Sequence, residues 1–454
     1  MIRHRGPECS LQKVFYSFVG LTSLITSIYV FLGRPGILRF EASLLNTSQH
    51  EYLMEGLPQK GSSRQFLKPT PRPERSQVAN ETLESTKTQS VDASTSVQSP
   101  QPNSSSNQTR ACARQNRHTN YTSCPQCFRL AAKDIGERLR EIKYMDNLIP
   151  DERPGIFTPS KEIVERVTTE YLIVPQLKCP YLLVIQPSVL DRRHERDLVR
   201  STWGSVAKTQ SWPNRTMNAE VKVVFVVARQ PPEATTTERQ LTHSQPDGQS
   251  DDWKQIQSEA NQHQDLLFID MLDGYRNLTL KLVSAFTWVR DNCPCVQFVL
   301  KVDFDTFVNV PLLVDTLIYS ENRLQFSILG MVYTSNNKVM RIGPWRVSES
   351  LYPMARYPEY ASGCGYVLSA RTLSGIVDTI AHYRMLPVED AFITGVMRRV
   401  VGFQLFSLGS AFTHYTDKAW HPCAMLQDNK VLGLTSLPQK HQTVWGTFVQ
   451  GACS

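Results

Sequence analysis

The sequence predicts an α/β domain with a largely parallel sheet, set behind one N-terminal membrane span and a disordered tether. Three observations carry this: an uncharged apolar run near the start, a long polar stretch after it, and alternating apolar strands and amphipathic helices from about residue 170. The 454 residues carry 49 Lys and Arg against 42 Asp and Glu, a net charge of +7. That surplus is dilute and no Lys/Arg block concentrates it, which argues against a nucleic-acid binder. The expected divisions are a cytosolic tail (1–13), a signal-anchor helix (14–33), a lumenal stem (34–170) and a catalytic domain (171–454).

The span is VFYSFVGLTSLITSIYVFLG, from Val14 to Gly33. As a helix its 20 uncharged residues reach about 30 Å, the thickness of a bilayer core. Arg3, Arg5 and Lys13 precede it and Arg34 and Arg39 follow, a thin positive-inside bias towards a cytosolic N-terminus. A cleavable signal peptide would have a shorter core and an A-x-A-like site, which FLGRPG lacks. Everything after the span is therefore expected on the lumenal side.

Residues 61–110 contain 31 Ser, Thr, Asn, Gln or Pro and one aromatic, Phe66. Such a stretch cannot bury enough apolar area to offset its conformational entropy. Asn-x-Ser/Thr sequons surround it at Asn46, Asn80, Asn103, Asn107 and Asn120. Two more, Asn214 and Asn277, fall in the α/β region and are the glycosylation candidates there. Cys112, Cys124 and Cys127 adjoin a short helical pattern, FRLAAKDIGERLREI. No second C-x-x-C completes a zinc site, so lumenal disulfides are the better reading. Cys179, Cys293, Cys295, Cys364, Cys423 and Cys453 are also expected to supply disulfides.

Strand-like runs follow at 181–185, 221–228, 266–270, 296–302 and 326–333. Helical faces start at Leu278 and again at Leu373, with Ile376, Val377 and Ile380. Ligands of such sheets bind beyond the carboxyl ends of the strands. There lies Lys301-Val302-Asp303-Phe304-Asp305, two carboxylates one residue apart, a hard-oxygen site for a divalent cation. Asp-x-Asp after a strand is also an ordinary loop or helix cap. Glu389-Asp390 is a second acidic pair. It suits a helix N-terminus, and equally the deprotonation of a hydroxyl.

Five motifs occur in order: RRHERDLVRSTWG (192–204), DGYRNLTLKL (273–282), KVDFDTFVN (301–309), YPEYASGCGYVLS (357–369) and VEDAFITG (388–395). Together they resemble the Golgi β-1,3-glycosyltransferase family of β-1,3-galactosyltransferases and β-1,3-N-acetylglucosaminyltransferases, over nearly all of residues 179–450. The resemblance implies a Golgi type II membrane protein with a Rossmann-like GT-A fold and a lumenal catalytic domain. It implies Mn²⁺ or another divalent cation, a UDP-sugar donor and inverting transfer to an acceptor glycan on a glycoprotein or glycolipid. The wording of VDFDTFVN and SGCGYVLS is closer to the galactosyl branch, so UDP-galactose is the expected donor, with UDP-N-acetylglucosamine the alternative.

Carried over by position, Asp305 is the metal carboxylate, with Asp303 beside it in the nucleotide-sugar site. Asp390 is the general base, next to Glu389. Arg196 and Arg200 occupy basic positions near the nucleotide, where a guanidinium can fork onto phosphate oxygens; a structural ion pair is the other reading of both. Gly363 and Gly365 allow close backbone approach or a tight turn. Two departures stand out. Phe304 replaces the usual middle Asp, and Leu434 stands where the family carries a metal-binding His, with His421 and His441 near in sequence. A binder that keeps the fold without turnover is the rival class, told apart by whether sugar is transferred.

Overall fold

The computed structural model describes residues 125–143, 157–213, 215–231, 251–335, 337–414, 421–427, 429–435 and 440–451. The expected tail, span and polar tether, with Asn214 and Cys453, lie outside the described residues. No helix among the described residues is long and apolar enough to cross a membrane.

Fourteen strands are described. They are β1 (Arg140–Glu141), β2 (Tyr171–Ile173), β3 (Leu182–Pro187), β4 (Ser211–Trp212), β5 (Arg215–Thr216), β6 (Val221–Arg229) and β7 (Leu266–Leu272). After these come β8 (Phe298–Val302), β9 (Thr306–Val308), β10 (Ser327–Tyr333), β11 (Tyr360–Ser369), β12 (Gln404–Ser407), β13 (Phe412–His414) and β14 (Leu432–Leu434). The main sheet runs β1-β12-β10-β11-β8-β3-β6-β7-β2, and β13-β14-β9 form a small second sheet. All five expected strands are present.

The sheet is mixed rather than largely parallel. β8, β3, β6 and β7 pair in parallel, as do β10 and β12. β11, however, runs antiparallel to both neighbours, and β1 and β2 close the edges antiparallel. Local apolar patterns report burial, whereas strand direction is set by long connections.

Among the described residues seven α-helices are longer than four residues: α1 (Pro125–Arg138), α2 (Arg193–Ser201), α3 (Asp251–His263), α4 (Leu278–Asn292), α5 (Val310–Leu324), α6 (Ala370–Ile380) and α7 (Lys440–Gln450). Pro311 sits in the first turn of α5, where no amide hydrogen is needed. Ser369 caps α6, its hydroxyl accepting from the Thr372 amide at 3.2 Å.

Side chains alternate across the central strands. Leu182, Val184, Val223 and Phe225 face one core with α1 and α5. Leu183, Ile185, Val224 and Val226 face the other with α4 and α6. Ala131, Ala132 and Ile135 of α1 and Leu139 just after it are buried in the first core, and Arg323 donates to Leu139 O at 2.7 Å. Part of the segment expected to be stem therefore packs against the α/β core.

Cys179 and Cys295 form a disulfide with Cα atoms 5.6 Å apart, and Cys364 and Cys423 are disulfide-bonded too. Cys293 corrects the expectation: it is free and buried, and burial pushes its thiol up to about 11.

Candidate active site

β3 and β8 are parallel neighbours, so their carboxyl ends open on the same side of the sheet. Just beyond β8 the chain turns tightly, the Thr306 amide donating to Asp303 O at 3.2 Å. β9 then pairs with β14, placing Leu434 opposite Thr306. The Thr435 amide and hydroxyl donate to Asp305 O at 2.8 and 2.6 Å. The turn is thus gripped from the second sheet, and Asp305 is 2% exposed.

Its Oδ1 is buried with no hydrogen-bond partner. Burial raises the Asp305 carboxyl well above its usual range, and the neighbouring charge of Asp303 adds to this. An unpartnered buried carboxylate oxygen is costly and calls for an explanation. Leu434, at the family's histidine position, is buried in β14 and ligates nothing. His441, the second residue of α7, is fully buried against Phe307, with ring centroids 5.9 Å apart.

Neither His441 ring nitrogen makes a hydrogen bond of good geometry, although the Asp305 backbone carbonyl is near enough to act on the ring. Burial pushes its pKa down to about 4, and the Asp305 backbone carbonyl opposes this. Asp305 and His441 are therefore two orphaned ligand-type side chains joined to one turn. A hard carboxylate and a neutral imidazole are residue types that would suit a divalent cation. No cluster of three or more such groups occurs among the described residues. His421 is exposed.

The second acidic pair closes the site from the other core. Asp390 precedes a π-helical turn, Ala391–Met397, a local distortion often found at functional positions. Asp390 Oδ2 accepts from the Gly363 amide and Oδ1 from the Ala391 amide, both at 2.9 Å. Thr394 donates its hydroxyl to Asp390 O at 2.6 Å, and receives the Ala361 amide of β11 at 2.8 Å. The base candidate is held at both oxygens.

Glu389 is engaged differently. Its Oε1 accepts from Lys301 Nζ at 2.7 Å and its Oε2 from the Tyr366 hydroxyl at 3.0 Å. Burial raises its carboxyl and the Lys301 ammonium opposes this. Lys301 also donates to Asp303 Oδ1 at 2.8 Å. Glu389, expected beside Asp390 as a catalytic group, is thus a bound counter-ion. Asp303 shares the same ammonium.

Gly363 is required for approach to the acidic pair. A Cβ there would stand 3.1 Å from Asp390 Oδ2 and 3.2 Å from Glu389 Oε1. Gly363→Ala is expected to push the carboxylate by a few tenths of an ångström, lowering kcat about tenfold. Its stability cost is expected near ~1 kcal/mol. Steady-state rates beside a melting curve check both.

Both arginines make the ion pairs that were their other reading. Arg196 is buried; Nε and Nη2 grip both Glu259 oxygens at 2.7 Å. Its remaining donors reach Ser188 Oγ, Val189 O and Leu190 O. All five guanidinium hydrogens are used within the chain, so none is left for a diphosphate. Arg200 forks onto Asp265 at 2.8 and 2.7 Å and also meets Asp197 and Glu259. Lys281, which the sequence reading missed, donates to Ser188 O and to Asp273, both at 2.8 Å.

Arg196 and Lys281 hold the 188–190 loop at the end of β3. Arg196→Ala leaves Glu259 buried and is expected to cost about 3–5 kcal/mol of stability, read as the denaturation midpoint. Asn277 is exposed at the start of α4, its side-chain amide donating to Leu272 O at 3.1 Å.

The sequence matches the family model described as galactosyltransferase over residues 194–408. It is 30% identical to β-1,3-galactosyltransferase 5 of Pan paniscus over 236 residues, 51% of this chain and 70% of that protein. It is 29% identical to β-1,3-galactosyltransferase 4 of Mus musculus over 290 residues, 56% of this chain and 69% of that one. A solved galactosyltransferase, LgtC in complex with donor and acceptor sugar analogs, overlaps 59% of this chain and 96% of its own. Its TM-score of 0.29 and 10% identity are too low to bear on the reading. The matched span runs from α2 to the end of β12 and takes in both acidic pairs and the glycine that orders the second: the chain belongs to the β-1,3-galactosyltransferase family.

Proposed function

We propose that this protein is an inverting, UDP-sugar-dependent β-1,3-hexosyltransferase of GT-A plan, moving galactose to an acceptor glycan. One observation carries the reading: a doubly anchored carboxylate, Asp390, adjoins Glu389, which shares the Lys301 ammonium with Asp303, two residues from the buried and unpartnered Asp305. Asp390 takes the proton of an acceptor hydroxyl. That oxygen attacks the anomeric carbon from the face opposite UDP, the bond to the UDP β-phosphate oxygen breaks, and an α-linked donor gives a β-linked product. One base suffices because no covalent enzyme intermediate forms.

Asp305 and His441 would hold the Mn²⁺ or other divalent cation, which when bound neutralises diphosphate charge on the leaving group. Tyr357 and Tyr360 feel the Asp390 charge and set aromatic surface beside the base, which suits a sugar ring. The galactosyltransferase relatives favour galactose over N-acetylglucosamine. The uncharged run at 14–33 supports a Golgi-membrane-anchored, lumenal enzyme, with exposed Asn277 and with Asn214 as glycan acceptors.

The test is to incubate the full chain and Mn²⁺ with labelled UDP-galactose or UDP-N-acetylglucosamine and a panel of β-linked acceptors. Transfer from UDP-galactose supports the proposal. Tight UDP binding without transfer from either donor favours a binder that keeps the fold.

A further inference from the structure

Strand β8 carries one residue that the fold does not ask for. Phe298, Leu300 and Val302 face the first core, and Val299 faces the second. Lys301 falls on the Val299 side of a central strand and is 1% exposed, where the alternation calls for an apolar side chain. Burying a lysine is costly unless every donor is met.

Here each is met: Asp303 Oδ1 at 2.8 Å, Gly363 O at 2.5 Å and Glu389 Oε1 at 2.7 Å. Tyr366, directly opposite Lys301 in register, completes the set on the other Glu389 oxygen. The three partners come from three separate motifs, at 301–305, 363 and 389–390.

We infer that Lys301 is a positioning residue that locks the two acidic pairs into one unit, leaving Asp390 alone for the acceptor and Asp305 alone for the cation. The inference rests on the reading of Asp390 as base. The ammonium ties Asp303 down, so the turn presents Asp305 as its unpartnered carboxylate. It occupies Glu389, so one member of the second pair is withdrawn from the acceptor. It also holds the Gly363 carbonyl, and the amide of the same residue fixes Asp390 Oδ2. A guanidinium is planar and longer and cannot reproduce three contacts converging on one nitrogen.

Lys301→Met and Lys301→Arg, made in the full chain, are expected to lower kcat by about 100-fold, with the donor KM kept within about threefold. A kcat within threefold of wild type in a folded variant overturns the inference. If these variants do not fold, Asp303→Asn, Glu389→Gln and the double variant test it with the lysine intact. Two carboxylates held through one ammonium are coupled, so the double variant should lose no more than about threefold beyond the worse single. Losses that simply multiply overturn the inference. Asp390→Asn in the same assay separates the two claims: if it stays active, the base assignment fails. If it is dead while the lysine variants match wild type, only the positioning claim fails.

Discussion

Asp390→Asn should abolish sugar transfer while leaving the donor bound. An asparagine keeps the size of the side chain and still accepts one of the two amide hydrogen bonds that fix it. What it cannot do is take a proton. The loss expected for removing a positioned base is about 10²–10⁴-fold in kcat. We place this variant at the upper end, because Glu389 is committed to Lys301 and Tyr366 and cannot stand in. UDP affinity, measured by calorimetry, should stay within about threefold, since no bound nucleotide needs the proton acceptor. A kcat within tenfold of wild type would remove Asp390 from the role.

The second large effect concerns the cation. Asp305→Asn and His441→Phe are each expected to abolish the rise in melting temperature that Mn²⁺ gives the wild-type chain without nucleotide. Asp305→Asn should also lower kcat/KM by about 10³-fold, the scale of losing charge stabilisation on a leaving group.

The pH dependence has a definite sign. A ligand must be unprotonated to bind. His441, with its pKa pushed down to about 4, is already neutral near neutral pH. Burial raises the Asp305 pKa, so a proton competes there with the cation. Mn²⁺ affinity should therefore rise with pH as Asp305 gives up its proton, with a slope of one proton, and Asp305→Asn should flatten it. An unchanged melting shift in both variants would place the cation elsewhere.

Much of this molecule could be read from residue patterns, and the failures have physical causes. Strands such as β6 announce themselves by unbroken β-branched runs, and α4 and α6 by their apolar faces. The direction of β11 did not, because antiparallel pairing with both neighbours depends on connections that no local window contains. Helix α1 falls in the expected stem, since its three buried apolar residues look like any weakly amphipathic segment until α5 covers them.

Arg196 was placed by analogy near phosphate. Its true partner, Glu259, lies 63 residues away and carries no signal of its own. The proposed cation site was half legible: the motif pointed to Asp305, and position-matching led to Leu434, which the register sets opposite Thr306, while His441 on the next helix packs against Phe307 of the same turn. Lys301 was visible throughout as a charge inside an apolar strand. Its meaning needed three motifs brought together.

The most direct test of the account is the stereochemistry and linkage of the product. The full chain is supplied with UDP-α-galactose, Mn²⁺ and a β-N-acetylglucosamine acceptor, and the disaccharide is examined by proton NMR. The account predicts a β-anomeric galactose attached at O3, formed by wild type and missing with Asp390→Asn. An α-anomeric product, or β product formed equally well by Asp390→Asn, would contradict it.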